Sequence, residues 1–206
     1  MTNRKTTYMN TIKTAILSLL LTASLCANAT VIDFSSETIG AKANGYTVQG
    51  VQFFDTIGAN LEVNTFGVQS QGKGLAVRGD DPSQLRVFMG GIFNAFALDF
   101  GNDDPSVARA GDLASLQLFL NGVQVGQTTV LLNLNDVLDQ TISIVGINFD
   151  EALFGYVNAN LQGLKLIEVV DNITFSRGNE VPEPGVLALL GLGFASLLIN
   201  RRRFVE

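Results

Sequence analysis

The stretch Leu116-Gln117-Leu118-Phe119-Leu120-Asn121-Gly122-Val123-Gln124-Val125 decides the fold class. Leu116, Leu118 and Leu120 alternate into it and Val123 and Val125 alternate out, the period-2 pattern of a strand with one face buried. Between them stands Asn-Gly, the preferred pair for a two-residue type I′ turn, in which both central residues need positive φ. The segment reads as a β-hairpin. The same pattern continues on either side. Short runs of β-forming residues bounded by Gly, Asn and Asp predict strands over 31–34, 46–54, 60–65, 75–78, 84–89, 93–100, 116–120, 123–127, 141–148, 153–158, 164–170 and 173–175. No window supports a helix within them. About a dozen strands separated by turn signals predict an all-β domain, an antiparallel β-sandwich, over residues 30–176. Phe96, Leu98 and Phe100 fall on one face of their strand and Asp99 on the other. The spacing of the phenylalanines places them in the core rather than on a stacking platform.

Composition narrows the chemistry. The chain of 206 residues has no His, no Trp and one Cys. Without His there is no Ser-His-Asp or Cys-His nucleophile system and no imidazole metal ligand. Carboxylate chemistry, a Ser/Lys arrangement, or no chemistry remain. Asp99 with the Asp103-Asp104 loop is the least arbitrary carboxylate group, and Lys42, Lys73 and Lys165 are the lysines a Ser/Lys pair would need. No spacing singles out any of them. A non-enzymatic protein is expected.

The formal charge of −6 is unevenly spread. Arg4, Lys5 and Lys13 lie near one end and Arg201, Arg202 and Arg203 near the other, whereas residues 30–180 hold 7 basic against 17 acidic groups, a formal −10. A binder of nucleic acid needs a positive surface to displace counterions, so nucleic acid is excluded as a partner. Cations or neutral glycans fit better.

The two ends read as addresses. Basic residues, an apolar run over 15–25 and the small pair Ala27 and Ala29 around Asn28 make residues 1–29 a secretory signal peptide, handed to the translocon and cut by signal peptidase before Thr30. Cys26 follows Leu25, which does not suit a lipoprotein signal, so the exported product contains no Cys and no disulfide. At the other end, residues 177–181 form a linker and 182–206 a three-part segment. It consists of Pro182-Glu183-Pro184, an uncharged membrane segment over 186–199, and the cytoplasmic basic cluster Arg201, Arg202 and Arg203. Fourteen residues at about 1.5 Å each cover some 21 Å of a roughly 30 Å hydrocarbon core, suited to a transient anchor. The arginines hold their end on the cytoplasmic side. Pro182 and Pro184 keep the lead-in extended, open to an enzyme cleft.

This tripartite tail resembles the PEP-CTERM sorting signal of Gram-negative bacteria. The resemblance implies recognition of the tail, and cleavage near the motif, by exosortase, a membrane-embedded cysteine-protease-like transpeptidase. It also implies association with exopolysaccharide and biofilm. On that reading the chain is an exported surface or extracellular-matrix protein, anchored in the inner membrane until it is processed and then found at the cell surface or outside it. An ordinary stop-transfer anchor, giving a permanently membrane-anchored surface protein, is the alternative.

The middle region loosely resembles jelly-roll carbohydrate-binding modules. The matching element is Val170-Asp171-Asn172-Ile173-Thr174-Phe175. In such modules an Asp before the final strand helps a structural calcium tie the first and last strands together, so the resemblance implies a calcium site at Asp33 and Asp171 and a calcium-stabilised glycan-binding module. Against glycan binding, the exported domain has no Trp and only Tyr46 and Tyr156 among its tyrosines. Two similar loops, residues 79–83 and 101–106, have Asp and Pro arranged as in self-capping turns, with calcium ligation the alternative.

Overall fold

The computed structural model describes residues 29–79 and 81–177. The expected signal peptide up to Asn28, the motif and segment over 182–206, and all but the first residue of the linker lie outside them. Eleven strands form among the described residues: β1 (Thr30–Ile32), β2 (Gly40–Lys42), β3 (Tyr46–Val48), β4 (Val51–Asp55), β5 (Leu61–Asn64), β6 (Gly74–Val77), β7 (Leu85–Gly101), β8 (Leu113–Leu120), β9 (Val123–Leu131), β10 (Gln140–Val157) and β11 (Glu168–Ser176). Every strand pairing is antiparallel, and no α-helix occurs among the described residues. The all-β sandwich is therefore the observed architecture.

Two strands build both layers. β7 and β10, 17 and 18 residues long, pair with each other along most of their length, and each changes its other neighbour part-way. Near its start β7 lies between β4 and β10, and β10 passes on to the β8–β9 hairpin. Beyond the bend β7 pairs with β11, which carries β6 on one half and β1 on the other, and β6 leads to β5 and β2. The bend coincides with Gly90 and Gly146, both at positive φ (63° and 83°), and with breaks in the β7–β10 register between Val145 and Glu151. A bulge there adds twist and curls the ribbon until its two halves face each other.

The core fills the space between those halves. Phe96, Leu98 and Phe100 of β7, Phe149 and Phe154 of β10 and Ile173 of β11 are buried in one cluster. Phe96 meets Phe149 edge to face at 5.9 Å, and Phe100, Phe154 and Tyr156 form a second aromatic triangle with centroids 5.5 to 6.1 Å apart. Such pairs add about 0.5–1.5 kcal/mol each beyond their area burial.

The structure redraws several strands. The hairpin at Asn121 (φ 51°) and Gly122 (φ 76°) forms as read, with Leu120 opposite Val123. The run over 46–54 is not one strand but two, β3 and β4, because Gln49 (φ 50°) and Gly50 (φ 82°) make a second two-residue turn with Val48 opposite Val51. Gln is not a residue that favours positive φ, which hid the turn. Conversely 84–89 and 93–100 are a single β7, and 141–148 and 153–158 a single β10. Residues 164–167 stay irregular, and β2 had no alternation to announce it.

Candidate functional site

An open groove of about 730 Å³ lies where β4, the bend of β7, the β8–β9 turn and the bulged part of β10 come together. Its floor follows from strand alternation. Val51, Phe53, Leu85 and Val87 point into the core, so their neighbours Gln52, Phe54, Arg86 and Phe88 point out. Register sets Gln52 and Glu151 on either side of Phe88, and Phe54 opposite Arg86. Phe54 and Phe88 stack edge to face, with centroids 5.5 Å apart and planes at 87°. Both are half-buried.

Carboxylates and amides rim these rings. Asp150 accepts the backbone N–H of Asn121 on both oxygens, at 3.2 and 3.1 Å, which fixes the tip of the hairpin against the groove. Glu151 Oε1 lies 3.1 Å from Arg86 Nε, an ion pair whose off-axis geometry makes no hydrogen bond. Burial pushes the Glu151 carboxyl above its usual range, Arg86 pulls it back, and Asp150 pushes it up again. The groove thus offers an apolar face of two rings beside carboxylates and the amides of Gln52 and Asn121.

Sequence reasoning had put the phenylalanines in the core, and for Phe54 and Phe88 the structure corrects this. The signal was present: Phe53 and Phe54 are adjacent on one strand, and adjacent strand residues cannot face the same side. The tyrosines weighed for sugar contact do not reach a ligand surface freely. Tyr156 is buried with its hydroxyl donating to the Gly101 carbonyl, and Tyr46 is half-buried with its hydroxyl donating to Glu37 at 2.5 Å.

Asp33 and Asp171 come close. The β1–β11 register places Ile32 opposite Ile173, which brings the residue after β1 alongside the Asp171-Asn172 step. Asp171 is buried, accepts the Asn172 N–H at 2.8 Å on one oxygen and leaves the other without a partner. Burial raises its pKa to about 6, opposed by the Asn172 amide and, more loosely, that of Gln71, and reinforced by Asp33 and Asp99. Asp33 itself is exposed and accepts both the N–H and the hydroxyl of Ser35, which lower its pKa. Among the described residues, no three acidic or Cys side chains converge closely enough to make a metal cluster by themselves.

The remaining candidates have structural partners. Asp99 accepts the Thr141 hydroxyl at 2.5 Å and the Asn172 amide at 3.0 Å. Asp103 is buried and accepts the N–H groups of Leu134 and Asp136, while Asp81 and Asp104 cap Ser83 and Ser106 in the self-capping manner of their loops. Lys42 donates to the carbonyl and hydroxyl of Thr38, and Lys73 to the carbonyls of Ser35 and Glu37. Lys165 is exposed.

The tail is decided by comparison with known sequences. The profile of the PEP-CTERM protein-sorting motif matches residues 180–203. The chain carries the PEP-CTERM sorting motif. It includes Pro182, Glu183, Pro184 and Arg201, Arg202 and Arg203, all outside the described residues. A PEP-CTERM motif implies export, C-terminal membrane anchoring before processing, and exosortase as the processing partner. Among the described residues no helix is long and apolar enough to cross a membrane.

No curated protein matches the sequence. Solved structures with similar coordinates include the second family-51 carbohydrate-binding module with the INT domains of Clostridium perfringens ZmpB (11% identity, TM-score 0.37, covering 72% of this chain and 32% of that one). Another is the family 32 carbohydrate-binding module of C. perfringens NanJ in complex with galactose (12% identity, TM-score 0.32, 73% and 100%). A third is the arabinose-bound α-L-arabinofuranosidase MgGH51 (14% identity, TM-score 0.44, 73% and 27%). This chain spans about a third of the length of the first of these. Likenesses this distant transfer neither ligand nor reaction.

Proposed function

We propose that this chain is an exported, non-enzymatic surface or matrix protein, processed by exosortase, whose β-sandwich binds neutral extracellular polysaccharide in the groove floored by Phe54 and Phe88. The observation that carries the ligand class is that groove. Sugar C–H faces pack on aromatic rings, and sugar hydroxyls donate to carboxylates and bond to amides, so a glycan site needs these side by side. Here Phe54 and Phe88 adjoin Gln52, Asp150 and Glu151 on one outer sheet face. The acidic domain would repel polyanions, which favours a neutral polymer. A binding role is favoured over hydrolysis because both groove carboxylates have structural partners, Asp150 the hairpin tip and Glu151 the Arg86 side chain.

Calorimetry of the exported protein against exopolysaccharide from its own host tests this. Binding heat is expected, weakened about tenfold in Phe88→Ala, the loss that follows from removing an aromatic face worth about 1–1.5 kcal/mol. Absence of heat with the unmodified protein, with and without calcium, ends the glycan reading. The buried free oxygen of Asp171 supports a second reading, in which a structural calcium bridges Asp33 and Asp171 and steadies β1 against β11. The permanently anchored alternative predicts that the exported product retains residues up to Glu206.

A further inference from the structure

Three loops meet at one end of the sandwich. β4 ends at Asp55, β6 ends at Val77 and β11 begins at Glu168, opposite Val77 in register. The loop after β6 carries Asp81 and Ser83 before it enters β7. Gly163, in the loop before β11, has room for no side chain, since a Cβ there would sit 2.9 Å from Pro82. The β10–β11 loop is therefore pressed against the β6–β7 loop.

Glu168 lies at this junction with 1% of its surface exposed, and neither carboxylate oxygen has a hydrogen-bond partner. The N–H groups of Glu168 itself and of Tyr156 lie near it without adequate hydrogen-bond geometry. Burial raises its pKa well above the carboxylate range, and Asp55 and Asp81 raise it further. Asp55 is buried, accepting the N–H groups of Ile57 and Asn60, and Asp81 accepts that of Ser83. The Ser83 hydroxyl is also buried and unpartnered. The arginines on either side of Asp81 and Ser83 in sequence have other carboxylate partners, Arg78 with Glu62 and Arg86 with Glu151. A buried carboxylate with no partner costs several kcal/mol unless a cation or a proton neutralises it.

We infer that Glu168 is the anchor of a calcium site at this loop junction, separate from Asp171, with Asp81, whose second oxygen accepts no hydrogen bond among the described residues, as a further carboxylate ligand and loop carbonyls completing the shell. Calcium takes six to eight oxygens, of which backbone carbonyls supply many, so three converging carboxylates are not required. The hard cation meets both bare oxygens of Glu168 and offsets the mutual repulsion of the three acids. Its structural effect is to clamp the β4–β5, β6–β7 and β10–β11 loops together in a chain that is expected to have no disulfide to do so.

The full-length chain in detergent, stripped with EDTA and then titrated with calcium chloride to about 1–10 mM, spans the affinities of extracellular calcium modules. A rise in melting temperature of several degrees is expected, together with terbium emission on tyrosine excitation, because Tyr156 lies beside Glu168. Glu168→Gln should abolish both responses, and Asp171→Asn should leave the terbium signal in place. If Glu168→Gln does not fold, Asp81→Asn serves instead and should move the calcium midpoint at least tenfold upward. No calcium response in the unmodified chain, a full response in Glu168→Gln, or an unmoved midpoint in Asp81→Asn overturns the site.

Discussion

Asp171 shows how one residue carries a stability cost that its sequence neighbours do not reveal. Its pKa is raised to about 6 by burial, with Asp33 after β1 and Asp99 on β7 adding like charge. An acid whose folded pKa exceeds the unfolded value of 3.8 favours the folded state when protonated. Its contribution is therefore fully present below pH 3.8 and is lost as pH rises through about 6. In EDTA the melting temperature should fall between pH 4 and 7, and Asp171→Asn should flatten that slope and raise stability at pH 7. Thermal unfolding across that range checks it; an unchanged slope in the variant assigns the titration elsewhere. The sequence displayed Asp171 at a strand start, but its charge cost arises from β1 and β7, which lie far away along the chain.

At the scale of elements, Gly101 ends β7 at a crowded place. A Cβ there would lie 2.9 Å from the Leu138 backbone nitrogen and 3.1 Å from the Gln69 carbonyl oxygen, and the Gly101 carbonyl accepts the buried Tyr156 hydroxyl. Backbone neighbours cannot rotate away as side chains do. Gly101→Ala should therefore destabilise the domain by about 1–3 kcal/mol, read as a lower denaturant midpoint at unchanged slope. A neutral outcome would mean that the 136–140 segment moves freely. Elements were legible where local chemistry is explicit. Asn121-Gly122 announces its turn because both residues tolerate positive φ, whereas Gln49-Gly50 adopts the same geometry through pairing of Val48 with Val51. From sequence Gly90 looked like the end of a strand, whereas Gly146 lay inside the run over 141–148. They are bends within β7 and β10, because partners on both sides keep the ladders continuing past them.

For the whole molecule, the ends and the middle answer to different physics. Replacing Pro182, Glu183 and Pro184 by Ala should leave the tail attached and the protein associated with membranes, whereas the unaltered chain should be recovered without residues 1–29 and without the segment beyond the motif. Intact-mass measurement of the surface fraction decides between them. Identical masses at the C-terminus in both strains would refute exosortase processing. β1 begins at Thr30, so cleavage at the expected position would leave every strand whole.

The sequence by itself determined the sorting tail, the all-β class, and most of the core. Those depend on local features: a short motif beside an apolar run and a basic cluster, alternation with period 2, and turn residues suited to positive φ. Only the tertiary structure decided which phenylalanines face outward, that β7 and β10 run through both layers, and that Glu168 and Asp171 are buried with free oxygens. Burial and neighbouring charge are set by groups distant in sequence: Asp55, Asp81 and Glu168 meet only when three loops close over one end of the sandwich.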